Sequence, residues 1–288
     1  MYPSKEKISG NQALMLILAG GIGNIFVVLS APAIRDAGRN GWLIVLIGYA
    51  LATAVGLTLV NLGRRFPDQS FVQYLPVVLG KPLGKLLGLA YILTYWAMSG
   101  IVLREMMELM RYFLPRTPSL LIGIMMTALI VYVMFKGFET FARTAELFIV
   151  AVIFLIVLTL VLNLPNLNWK NLSPFLGDGI LPVLKGLPIQ FSYGLETLIF
   201  MSLWFPCLNR SNEGYRAVLT GLPMAGVLLS VLVAVNIALT GVGLTAKIIF
   251  PVFYMSRYIN ISNFITGFEA IFMLLWLATS YLEILVFF

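Results

Sequence analysis

The chain has 288 residues, 60% of them apolar and only 11% charged, with a formal net charge of +7. A soluble domain carries about one charged residue in four, and no globular core hides this much hydrocarbon. Lipid is therefore the solvent for most of the surface, and the chain reads as an all-α polytopic membrane protein forming one transmembrane domain over residues 1–288. Its 19 Lys and Arg residues sit singly or in pairs in short loops, with none of the clustering that binds nucleic acid. Cys207 is the only cysteine and there is no histidine, which removes intrachain disulfides and most transition-metal chemistry.

A membrane crossing needs about 20 helical residues, and uninterrupted apolar length predicts eight. The short polar segment from Met1 to Gly10 lacks a cleavable-signal pattern. Span one, Gln12–Ile34, contains a weak point, Gly20-Gly21-Ile22-Gly23-Asn24. Span two is Trp42–Leu62. Span three runs from Leu83 to Phe113; in its later part Arg104 and Glu108 are spaced i,i+4 and Glu108 and Arg111 i,i+3, so their charges can pair. Glu105 and Glu108 read as a solvated or interfacial face. Span four is Leu120–Phe135 and span five Thr144–Leu164, with Glu139, Arg143 and Glu146 as structural charges at the inner surface.

Pro165 to Lys185 reads as an interfacial loop with a short surface or re-entrant helix, where Trp169 suits the headgroup belt. Span six is Leu187–Leu208 and span seven Tyr215–Thr245. Lys247 to Asn263, broken by Pro251 and Arg257, reads as an amphipathic surface helix, and span eight is Phe264–Phe288. The loop bearing Arg64, Arg65, Lys81 and Lys85 is the densest basic cluster, and it places the N-terminus inside.

Two spans carry unusual polarity. Glu196 is the only ionisable residue between Gly186 and Asn209, and it follows Ser192-Tyr193-Gly194. A carboxylate at this depth costs about 2.5–3.5 kcal/mol on insertion scales, so it should face protein, water or a ligand. The spacing suggests an unwound helix beside a ligand; the plainer reading is a buried acid bonded to free amides or to Asn24. Gly20, Gly21, Gly23 and Asn24 suggest a second opening whose amides and carbonyls could hold a zwitterion. The competing reading is close helix packing through small residues. Two interrupted helices at depth point to a transporter-like site. On span three, Tyr95 and Ser99 share an i,i+4 face with Tyr91 and could line a cavity. No metal cluster, phosphate-binding glycine loop or nucleophile elbow is present in the sequence, so neither an enzyme nor a cofactor is expected.

The opening Ile8-Ser9-Gly10-Asn11-Gln12, the glycine-rich first span, Asp36 to Trp42, and Gly194-Leu195-Glu196 occur in a characteristic order. With Phe250-Pro251-Val252, Arg257-Tyr258-Ile259, Phe268-Glu269-Ala270-Ile271-Phe272 and Trp276, the chain resembles the endospore germination permease family. That family comprises the B subunits of spore germinant receptors, a branch of the amino acid–polyamine–organocation transporter superfamily. The resemblance implies an inverted-repeat transporter fold, with the first repeat over about residues 8–164 and a partial second over about 181–288. Spans one and six would be unwound. It also implies a small germinant, an amino acid as the expected class, between those breaks, held by Gly20, Gly21, Gly23 and Asn24 with Ser192, Tyr193, Gly194 and Glu196. An A subunit and a lipoprotein C subunit are the implied partners, and the spore inner membrane the implied location. The family pattern has ten spans against eight here, and a basic residue where Gly267 and Phe268 precede Glu269. A secondary amino acid permease and a truncated, non-sensing subunit are the alternative expectations.

Overall fold

Lipid offers no hydrogen-bond partner to the backbone, so each crossing segment must satisfy its own N–H and C=O groups, and it does so as a helix. The computed structural model describes residues 7–23, 25–177, 179–259, 276, 277 and 280. Within them the helices are α1 (Gly10–Ile22), α2 (Ile25–Val28), α3 (Ser30–Ala37), α4 (Gly41–Gly63), α5 (Phe71–Leu79) and α6 (Lys81–Phe113). They continue with α7 (Ser119–Met134), α8 (Phe138–Asn163), α9 (Leu181–Trp204), α10 (Ser211–Thr245) and α11 (Pro251–Arg257). Apart from one parallel bridge between Ile8 and Leu208, no β structure appears among the described residues.

Among the described residues, five helical stretches are long and apolar enough to cross a bilayer: Gly10–Val28, Ser30–Gly63, Lys81–Arg111, Phe138–Asn166 and Ser211–Thr245. They correspond to expected spans one, two, three, five and seven, and the chain is an all-α polytopic membrane protein. Expected span four is α7, only 16 residues long. Expected span six is α9, long enough at 24 residues but made more polar by Lys185, Gln190, Ser192 and Glu196. The eighth expected span, 264–288, lies almost wholly outside the described residues.

The start of α1 is fixed by local chemistry. Ser9 and Gln12 form a capping box: the Ser9 hydroxyl accepts from the Gln12 amide at 3.3 Å, and the Gln12 side chain accepts from the Ser9 amide at 2.9 Å. Ile8 is bonded on both sides to the α9–α10 connector, donating to Cys207 O at 2.7 Å and accepting from Asn209 N at 3.0 Å. The entry to α1 is thereby tied to the exit of α9.

The core is a close bundle of α1, α4, α9 and α10. Small residues set its spacing, as expected where apolar side chains gain nothing by leaving lipid. A Cβ added at Gly48 on α4 would lie 2.8 Å from the Gln190 carbonyl carbon on α9, and one at Gly226 on α10 would lie 2.5 Å from the Tyr49 Cβ. Polar pairs pin α3 and α4 to α10: Asn236 Nδ2 donates to Ser30 Oγ at 3.1 Å, and Ser230 Oγ donates to the Trp42 carbonyl at 2.7 Å. By contrast α6 turns much apolar surface outward, including Trp96, which is 73% exposed.

Residues 165–180 form short 3₁₀ turns at Leu164–Asn166 and Trp169–Leu172, with Trp169 exposed, as an interfacial loop requires. The segment expected to be an amphipathic surface helix is different. Among its described residues the helical part is α11, and Pro251, Val252, Phe253, Met255 and Ser256 on it are buried against α2 and α10. Its apolar residues surround the turn rather than lining one face, and burial, not the headgroup layer, takes them up.

Candidate functional site

The first helix does break, but over a shorter stretch than its glycines suggest. Gly20 and Gly21 lie inside α1 and are buried. A Cβ at Gly20 would sit 3.4 Å from the Thr197 methyl on α9, and one at Gly21 would sit 3.2 Å from the Ala225 Cβ on α10. These two glycines permit close packing, so their expected role as unwound residues is corrected. Helical geometry is lost at Gly23, whose φ/ψ is −25°/−91° and whose amide still donates to Ala19 O at 2.8 Å. Helix ends leave orphan carbonyls, and here Tyr49 on α4 reaches across to donate its hydroxyl to Gly21 O at 2.6 Å. Asn24 lies outside the described residues.

The expected break in span six is absent. Helix α9 runs without interruption from Leu181 to Trp204. The Ser192 hydroxyl folds back onto Ile189 O at 2.7 Å and the Thr197 hydroxyl onto Tyr193 O at 3.5 Å, the usual way such side chains are satisfied within a membrane helix. Gly194 is buried, and a Cβ there would come 2.4 Å from the Ala52 Cβ. That glycine is needed for the α4–α9 approach, which explains its presence without any unwinding.

On the other side of α9 lies a cavity of about 340 Å³ bounded by α2, α6 and α9. Ser192, Tyr193 and Glu196 line it from α9, Tyr95 and Glu105 from α6, and Ile25 and Val28 from α2. It begins two residues past the Gly23 break, so the one interrupted helix of the pair does border the chamber. Ser192 is exposed and Glu196 half-buried, both toward this space. Ser99 is buried with its hydroxyl on Tyr95 O at 2.9 Å, and it supports the Tyr95 turn without forming part of the lining.

Tyr91, one turn before Tyr95 on α6, ties that helix to α9. Its hydroxyl reaches Ile199 O at 2.6 Å and Ser202 Oγ at 2.5 Å on α9, and its ring packs on Tyr95 with centroids 4.9 Å apart. Glu105, expected on a solvated face, instead lines the same cavity as Glu196, from the facing helix. A signal for it exists in the sequence: Tyr91, Tyr95, Met98, Val102 and Glu105 repeat at alternating steps of four and three, one continuous helix face. The expected pairing of Arg104 with Glu108 is present at 3.0 Å, and on α8 Arg143 pairs with Glu139 at 2.6 Å. Asn11 donates to Glu146 at 2.8 Å, tying α1 to α8. The Glu108–Arg111 pairing is not seen among the described residues.

These features define a multi-pass membrane protein with a largely apolar chamber, lined by two carboxyl groups, beside an interrupted first helix, a transporter-like arrangement. The chain belongs to the spore germination protein family, whose pattern it matches over residues 7–288. It is 28% identical over 275 residues to spore germination protein KB of Bacillus subtilis, covering 94% of this chain and 73% of that protein. It is 31% identical over 234 residues to spore germination protein YndE of the same species, covering 77% of this chain and 61% of that one. Spore germination protein XB of Bacillus anthracis is 24% identical over 276 residues, covering 94% and 76% respectively. The family is one of germination membrane proteins and not a known enzyme class.

Proposed function

We propose that this chain is the B subunit of a spore germinant receptor and that the chamber between α2, α6 and α9 binds the nutrient germinant, a small molecule of the amino acid class. The single observation that carries this reading is the placement of Ser192, Tyr193 and Glu196 on one wall of the chamber, with Tyr95 on α6 across from them and the Gly23 break beside it. At about 340 Å³ the chamber falls at the small end of ligand pockets, which suits a single amino acid. Asn24, which follows Gly23 in the sequence, completes the proposed ligand set. Gly20, Gly21 and Gly194 contribute by setting helix spacing. The two inverted repeats, 8–164 and 181–288, are the frame that lets α1–α3 and α9 move relative to the rest. The receptor's A and lipoprotein C subunits would receive the signal in the spore inner membrane, with the N-terminus of this chain cytoplasmic.

The test is a germination dose–response in spores carrying Ser192→Trp or Glu196→Ala, with protein level measured in the same spores. Ser192→Trp fills the chamber from an exposed position, so the protein should persist while the response to germinant falls by at least about tenfold, the equivalent of 1.4 kcal/mol. An unchanged response in both variants at normal protein level would contradict the proposal. The second reading, a secondary amino acid permease, rests on the same chamber and would be favoured by uptake of labelled amino acid into proteoliposomes.

A further inference from the structure

The charge of the chamber narrows what it can hold. Glu196 on α9 and Glu105 on α6 line it from facing helices, and none of its lining residues among those described is Lys or Arg. Apart from the hydroxyls of Thr94 and Ser192, the rest of the described wall is apolar or aromatic, including Ile25, Val28, Met98 and Tyr193. Of the charged groups nearby, Arg35 and Asp36 on α3 act on the Tyr193 hydroxyl with opposite signs. Two carboxyl groups brought into one low-dielectric space repel each other, and a positive charge placed between them relieves the repulsion and replaces lost hydration. Two tyrosine rings, Tyr95 and Tyr193, add faces that attract cations. A ligand carboxylate would find no cationic side chain among these lining residues.

We propose that the chamber selects an organic ammonium ligand of net positive charge, its cation held between the carboxyl groups of Glu105 and Glu196. This inference rests on the chamber being the germinant site. It sharpens the ligand class from amino acids in general to amines and amino acid derivatives whose positive charge is not matched by a free carboxylate. It requires only that both acids face the ligand, whatever else each is bonded to.

The test uses the full chain purified into lipid nanodiscs, with ligand-dependent thermal stabilisation as the readout. The probes are the standard amino acids, their C-terminal amides, which keep the ammonium and lose the carboxylate, and their N-acetyl derivatives, which do the reverse. Ammonium and potassium chloride are run separately, to separate an organic ammonium from an inorganic cation. The expected result is stabilisation by at least one amide, with the matching N-acetyl compound at least about tenfold weaker, the equivalent of 1.4 kcal/mol. Glu105→Gln and Glu196→Gln, whose ligand-free melting reports folding, should each weaken that amide by about tenfold or more, since hydrogen bonds to charged groups contribute about 1.5–3 kcal/mol. An N-acetyl compound binding as tightly as its amide would overturn the inference while leaving the site standing, as would Gln variants that bind normally. Stabilisation by the inorganic salts alone would overturn the organic ligand. No stabilisation by any probe would overturn the site reading itself.

Discussion

Helices α1 and α9 carry the same sequence cue, permissive glycines in an apolar run, and they respond to it differently. In α1 the helix stops at Ile22, and Tyr49 takes up the carbonyl of Gly21. In α9 the Ser192-Tyr193-Gly194 stretch stays helical, with its hydroxyls on its own backbone and its glycine against Ala52. The difference lies in the neighbours. A glycine facing a packed helix is consumed by the approach; one with a side-chain donor next to a freed carbonyl can end the helix. Gly20 and Gly21 fall in the first class although they sit in the broken helix. The result is an asymmetric chamber with one interrupted wall and one rigid wall, and the rigid wall carries Ser192 and Glu196 on a fixed helical face.

Substitutions can break this comparison, beginning with the most severe. Gly194→Leu forces a side chain into the 2.4 Å approach to Ala52 and should destabilise the protein by about 3 kcal/mol or more, read as loss of folded protein in detergent melting. If Gly194 instead sat in an opened segment, the change would be mild. Tyr49→Phe strands the Gly21 carbonyl at the end of α1 and should cost about 1 kcal/mol in the same assay. Its effect should vanish in a variant whose α1 is made continuous by Gly23→Ala, if Tyr49 acts by capping the break. Arg104→Met removes an exposed i,i+4 pair and should cost no more than about 0.5 kcal/mol, serving as the baseline for a change on α6 away from the chamber.

Apolar length read directly from the sequence places α4, α6 and α10 to within a few residues, because a membrane helix declares itself by hydrocarbon alone. The Gly23 break, the Arg104–Glu108 pair and the exposed Trp169 were equally legible. The continuity of α9 was not, because glycine serves both a broken helix and a tight crossing and the sequence does not say what lies opposite. The burial of α11 was hidden for a related reason: Pro251 and Arg257 make the segment look interfacial, while its packing against α2 and α10 depends on the long-range fold. Glu105 was the avoidable miss, since the face begun by Tyr91 and Tyr95 continues to it in register.

Cysteine accessibility along α9 tests the central claim most directly. In a Cys207→Ala background, single cysteines at 190–199 are reacted in membranes with a small cationic thiosulfonate. The structure predicts reaction at Ser192→Cys and Glu196→Cys, silence at the buried Thr197 and Leu198 positions, and protection of Ser192→Cys by saturating germinant. Uniform reactivity across the whole stretch, or a Ser192→Cys that no germinant protects, would contradict a continuous helix presenting one face to a ligand.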